Sequence, residues 1–134
     1  MSRRARVLVV EDEEDVRETI VEVLAVEGYD VAGAVDGESA LAWVRHSPVD
    51  LVTLDLRMPG MDSKEALAEL RRLSPTTQIV VVSGYASVEE ANSCLALGAF
   101  AVVRKPFELA ELLGVLERAQ QTSGFAAHDA GPHP

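Results

Sequence analysis

Ala5-Arg-Val-Leu-Val-Val-Glu-Asp12, followed at once by the helix-period stretch Glu13–Val26, sets the fold of this chain. The first six residues are rich in Val and Leu and lack the apolar–polar alternation of a strand half open to water. They read as a strand buried on both faces. Val16, Ile20, Val23 and Leu24 then fall on one helical stripe, and Gly28 stops the helix. A strand covered on both faces, followed by an amphipathic helix, is the first half of a parallel βαβ unit.

The pattern repeats outward from there. Tyr29–Ala34 is a second strand, and Asp36 caps a helix through about His46 that Ser47-Pro48 ends. Asp50–Leu54 is a third strand. Met58-Pro59-Gly60-Met61 is a loop, and Asp62 with Glu65 starts a helix to about Leu73. Gln78–Val82 is a fourth strand, and Ser87 with Glu90 frames a helix ending at Gly98. Phe100–Val103 is a short fifth strand, and Leu109, Leu112, Leu113 and Leu116 stripe a last helix. Five continuous apolar strands alternating with five helices, joined by right-handed crossovers, predict an α/β fold with a doubly wound parallel sheet. Residues 1–4 form an N-terminal extension and 5–120 a single domain. The small, polar residues 121–134 read as a disordered tail, so His128 and His133 are given no metal role.

Composition narrows the function. The 134 residues carry 12 Lys and Arg against 22 Asp and Glu, a net charge of −10, which argues against direct binding to nucleic acid or an anionic membrane. Cys94 is the one cysteine, so no internal disulfide or cysteine zinc cluster forms. No apolar run approaches the roughly 18 residues of a membrane span, and Val7–Val10 is too short for a signal-peptide core. A soluble cytoplasmic protein is expected.

In open parallel sheets, ligands bind beyond the carboxyl ends of the strands. Strand one ends in Glu11-Asp12, strand three in Asp55, strand four in Ser83 and strand five in Lys105-Pro106. Each residue alone has an ordinary explanation as a cap, a turn or a solvated lysine. Their joint placement at four strand ends is the specific signal. Three carboxylates at one rim repel one another, and a hard cation with oxygen ligands removes that penalty. Mg²⁺ fits, with Asp12, Asp55 and a backbone carbonyl such as that of Arg57 in direct contact and Glu11 acting through water. Asp55 is then a nucleophile able to form an acyl phosphate, with Lys105 and Ser83 holding phosphoryl oxygens.

Val7-Leu-Val-Val-Glu-Asp-Glu, Leu54-Asp-Leu-Arg-Met-Pro-Gly-Met-Asp, Val82-Ser-Gly-Tyr and Arg104-Lys-Pro-Phe together resemble the response-regulator receiver domain of two-component signalling. The likeness covers about residues 5–120. It implies a flavodoxin-like sheet of strand order 2-1-3-4-5, Asp55 as phosphoacceptor, Glu11 and Asp12 as the acidic pair, Ser83 as hydroxyl switch and Lys105 as phosphate contact. It also implies a sensor histidine kinase or phosphotransfer protein as donor, in a phosphorelay. The output is a downstream protein target or a missing output domain, reached through the face made by the fourth helix, fifth strand and fifth helix. A homodimer through the same face is open to it. Such a domain is no enzyme beyond catalysing its own phosphoryl transfer and dephosphorylation.

Three departures stand out. Glu11 replaces an aspartate, Val102 stands where an aromatic ring is usual, and Ser63 stands where glycine is common, which reads as a minor loop change. Without a ring at Val102, the signal is expected to run through the Tyr85 loop. Arg57 and Tyr85, each two positions after a site residue, are placed to shield the acyl phosphate from water. A haloacid-dehalogenase phosphatase shares the Asp, Lys and Mg²⁺ but wants a second Asp where Arg57 stands. The remaining alternative is a receiver-like binding module that is never phosphorylated.

Overall fold

A computed structural model describes residues 5–57, 60, 62–84 and 87–122. The elements alternate along the chain: β1 (Arg6–Val10), α1 (Glu14–Val26), β2 (Asp30–Ala34), α2 (Gly37–His46), β3 (Leu51–Asp55), α3 (Ser63–Leu73), β4 (Gln78–Ser83), α4 (Val88–Ala96), β5 (Ala101–Arg104) and α5 (Leu109–Thr122). The strands form one sheet of order β2-β1-β3-β4-β5, and every neighbouring pair is parallel. The chain steps from β1 outward to β2, then crosses back to place β3 on the other side of β1. This reversal opens a crevice between the carboxyl ends of β1 and β3.

Strand side chains alternate between faces, and with helices covering both faces the middle strands are almost wholly apolar, Thr53 being the buried exception within β3. Leu8, Val10, Val52, Leu54, Ile79 and Val81 pack with Leu41, Leu67, Leu70 and Cys94 from α2, α3 and α4. Val7, Val9, Leu51, Val80 and Val103 pack with Ile20, Leu24, Leu112, Val115 and Leu116 from α1 and α5. Truncating a fully buried leucine such as Leu54 to alanine would cost about 2–5 kcal/mol. The expected caps are present. Asp36 accepts from Ser39 N at 2.8 Å, Asp62 from Lys64 N at 2.9 Å and Ser87 Oγ from Glu90 N at 3.0 Å. Each cap contributes about 1 kcal/mol.

The element ends differ from the sequence reading by a residue or two, for one reason. Hydrophobic runs stop where the apolar residues stop, whereas ladders continue while the backbone stays paired. Asp55 therefore closes β3 opposite Val82, and Ser83 closes β4 opposite Arg104. β3 and β5 each begin one residue later than expected, at Leu51 and Ala101. α5 continues to Thr122, two residues into the segment expected to be tail, and Thr122 Oγ1 accepts from Gln78 Nε2 at 3.3 Å. The expectations for residues 1–4 and 123–134 fall outside the described residues. Among the described residues, no helix is long and apolar enough to cross a membrane.

Candidate functional site

Asp55 is the last residue of a strand flanked by β1 and β4, and Leu56 N donates to Val82 O at 3.1 Å just beyond it. Its position in phase with Leu51 and Thr53 keeps it largely enclosed, at 5% exposed. Glu11 directly follows β1. Its amide continues the ladder to Ala34 O at 3.0 Å, and the residue is 3% exposed. Asp12, the next residue, is exposed. Lys105 follows β5, where its amide donates to Ser83 O at 2.8 Å and the Lys105–Pro106 peptide is cis.

These four side chains meet at the switch-point crevice. Carboxylate oxygens of Glu11, Asp12 and Asp55 all lie within 4.8 Å of one another. Lys105 Nζ stands 3.2 Å from Glu11 Oε1 and 3.4 Å from Asp55 Oδ2. The other oxygen of each buried carboxylate takes a main-chain donor: Asp55 Oδ1 from Arg57 N at 3.0 Å and Glu11 Oε2 from Glu13 N at 3.2 Å. The cavity they border measures about 350 Å³ and is lined by Glu11, Asp12, Glu13, Asp55, Arg57, Gly84 and Lys105.

Charge is unevenly matched in this cavity. Burial pushes the Glu11 carboxyl up to about 7, and the neighbouring Asp55 charge adds to that. The Glu13 amide and the Lys105 ammonium relieve only part of it. Burial pulls the Lys105 ammonium down, but the Asp55 and Glu11 carboxylates outweigh it, so Lys105 lies above its ordinary value and stays charged. Lys105 thus meets a cluster of three acids, in a cavity that Glu13 and Arg57 also border. An oxygen-only donor set with surplus negative charge suits a hard divalent ion such as Mg²⁺.

Of the residues singled out from sequence, Glu11, Asp12, Asp55, Arg57 and Lys105 border this one cavity. Ser83 ends the adjacent strand but is 1% exposed and is absent from the lining, where Gly84 stands. Val102 is partly buried against the cluster shared by α2, α3 and α4. Tyr85, Met58, Pro59 and Met61 lie outside the described residues.

Two supporting residues escaped the sequence reading. Arg17, within α1, donates from Nη1 to Glu11 O at 2.9 Å. It passes across Gly33 of β2, where an added Cβ would meet Arg17 Cδ at 3.1 Å. Ser63 is not a minor loop change. It is 4% exposed, and its Oγ donates toward Asp55 O at 3.1 Å and Leu56 O at 2.8 Å. The arginine had a faint signal in the missing side chain at Gly33. The serine's one signal was its place where glycine is common, which says nothing of its main-chain partners.

Comparison with known proteins follows the same lines. The family described as the response regulator receiver domain matches residues 7–117. The regulatory protein AtoC of Escherichia coli strain K12 is 39% identical over 116 residues, covering 87% of this chain and 25% of AtoC. The crystal structure of the receiver domain of NtrX from Brucella abortus superposes with a TM-score of 0.82 at 36% identity, covering 87% of this chain and 99% of that one. The Vibrio cholerae chemotaxis protein CheY4 superposes with a TM-score of 0.81 at 31% identity, covering 87% and 98%. The chain spans about a quarter to a half of the length of the curated relatives it matches, for example 25% of AtoC and 52% of the mycobacterial regulator PrrA.

Proposed function

As the chain belongs to the response regulator receiver domain family, we propose that Asp55 accepts a phosphoryl group from a phosphohistidine on a sensor histidine kinase or phosphotransfer protein, with Mg²⁺ as cofactor. An Asp55 carboxylate oxygen attacks phosphorus, the phosphorus–nitrogen bond breaks, and its electron pair leaves with the histidine. The observation that carries this reading is the near-buried Asp55 carboxylate, with Oδ1 held by the Arg57 amide and Oδ2 facing Lys105. Fixing the nucleophile this way removes rotational freedom before the reaction.

Asp12, Asp55 and the Arg57 carbonyl would hold Mg²⁺ directly, and Glu11 through water. The bound cation neutralises charge on the phosphoryl oxygens. Lys105 takes one of those oxygens, and Ser83 turns its hydroxyl toward another. Arg57, which borders the cavity, limits water access to the acyl phosphate. The domain catalyses only its own phosphorylation and dephosphorylation. A cleft of about 750 Å³, bordered by Val16, Ile20, Pro106 and Phe107, shares Gly84 and Lys105 with the acidic cavity and offers the donor a surface to rest on.

The added charge of about −1.5 to −2 biases a two-state equilibrium at the start of α4. The α4–β5–α5 face then changes its preference for a downstream protein target, an output domain or a second copy. Exposed Val88, Leu95 and Leu97 on or beside α4 support an apolar contact there. A receiver-like module that is never phosphorylated draws only on Val102. Incubation with a small phosphodonor and Mg²⁺, read by intact mass, separates the two. One phosphoryl group is expected on the wild type and none on Asp55→Asn. An unmodified wild type defeats the reading.

A further inference from the structure

Ser63 begins α3, yet the helix N-terminus does not use its hydroxyl, because Asp62 supplies the cap through Lys64 N. The Ser63 Oγ turns instead to two successive carbonyls of the chain leaving β3, those of Asp55 and Leu56, eight and seven residues earlier. One hydroxyl proton shared between neighbouring peptide groups fixes their relative orientation. The next main-chain donor is the Arg57 amide, which holds Asp55 Oδ1. Burial at 4% exposure leaves little room for water to replace the hydroxyl.

We propose that Ser63 is a positioning residue for Asp55: its hydroxyl locks the bend after β3, so that one carboxylate oxygen stays on the Arg57 amide and the other faces Lys105. The consequence for phosphorylation rests on Asp55 being the acceptor. The consequence for the bend does not.

The test uses the full chain as wild type, Ser63→Ala, Ser63→Gly and Ser63→Thr, with Val49→Ala, a buried position just before β3, as a control for general destabilisation. Amide exchange at Arg57 is measured in metal-free protein, Mg²⁺ affinity by titration, and phosphorylation by a small phosphodonor at saturating Mg²⁺. Removing the hydroxyl should speed Arg57 exchange and weaken Mg²⁺ binding by roughly tenfold each, the scale of one buried hydrogen bond. Phosphorylation should slow by a similar factor. Ser63→Thr should stay near wild type, and so should Val49→Ala. Wild-type exchange and Mg²⁺ affinity in Ser63→Ala would overturn the proposal. A threonine variant that behaves like the alanine one would do so too, as would an equal loss in Val49→Ala. A wild type that takes up no phosphoryl group would instead remove the acceptor reading, while the Arg57 exchange would still decide the role of Ser63.

Discussion

Glu11 couples folding to pH in the metal-free protein. Its carboxyl titrates near 7 in the fold against 4.5 in an open chain, mainly because burial disfavours the charged form. The neutral form is therefore the one the fold prefers. Its contribution is complete below about pH 4.5 and is lost as pH rises through about 7, a change of at most about 3 kcal/mol. Urea midpoints in a chelator should fall across that window. Glu11→Gln should remove most of the slope, and millimolar Mg²⁺ should flatten it by favouring the carboxylate. Parallel profiles for the wild type and Glu11→Gln would count against this account.

Elements are joined at their ends by single residues, and α4 shows it best. Gly98 follows its C-terminus with φ of +112°, a conformation that costs a side-chain-bearing residue about 1–3 kcal/mol. Arg71 of α3 lies against it, bonding Gly98 O through Nη2 at 3.0 Å and Pro75 O through Nη1 at 2.6 Å. Gly98→Ala should cost at least that much stability, since the added Cβ would also meet Arg71 Nε at 2.9 Å, and so lower the urea midpoint, while leaving Mg²⁺ uptake unchanged, because Gly98 precedes β5 whereas the site follows it. Loss of Mg²⁺ binding in a folded Gly98→Ala protein would contradict this. The elements themselves were legible because burial on both faces leaves the central strands few polar positions, so Val and Leu runs mark them directly. Their ends were not, because pairing at Asp55 and Ser83 depends on neighbouring strands that periodicity cannot see. Asp12, Asp55 and Lys105 could be anticipated because strand ends gather ligand-binding groups. Ser63 could not, since its partners are main-chain atoms seven and eight residues away.

Across the whole molecule, a signal starting at Asp55 should spread unevenly. Beyond the C-terminus of α4, Arg71 bonds Gly98 O, and at the start of the helix Ser87 supplies the cap. Amide shifts on adding a phosphoryl mimic should therefore be largest from about residue 84 to 90, fade toward 98, and be small in β2 and α2. A silent 84–98 segment would defeat the route through the Tyr85 loop. The contact of Arg17 with Gly33 has a consequence for how such a chain can vary. Strand β2 lies at the sheet's edge, yet its bare glycine makes room for the arginine that steadies the Glu11 carbonyl. A branched residue at 33 would crowd that arginine aside. Substitutions at 17 and 33 are thus linked, and a homologue or redesign that fills one position must trim the other to keep the acidic loop in register.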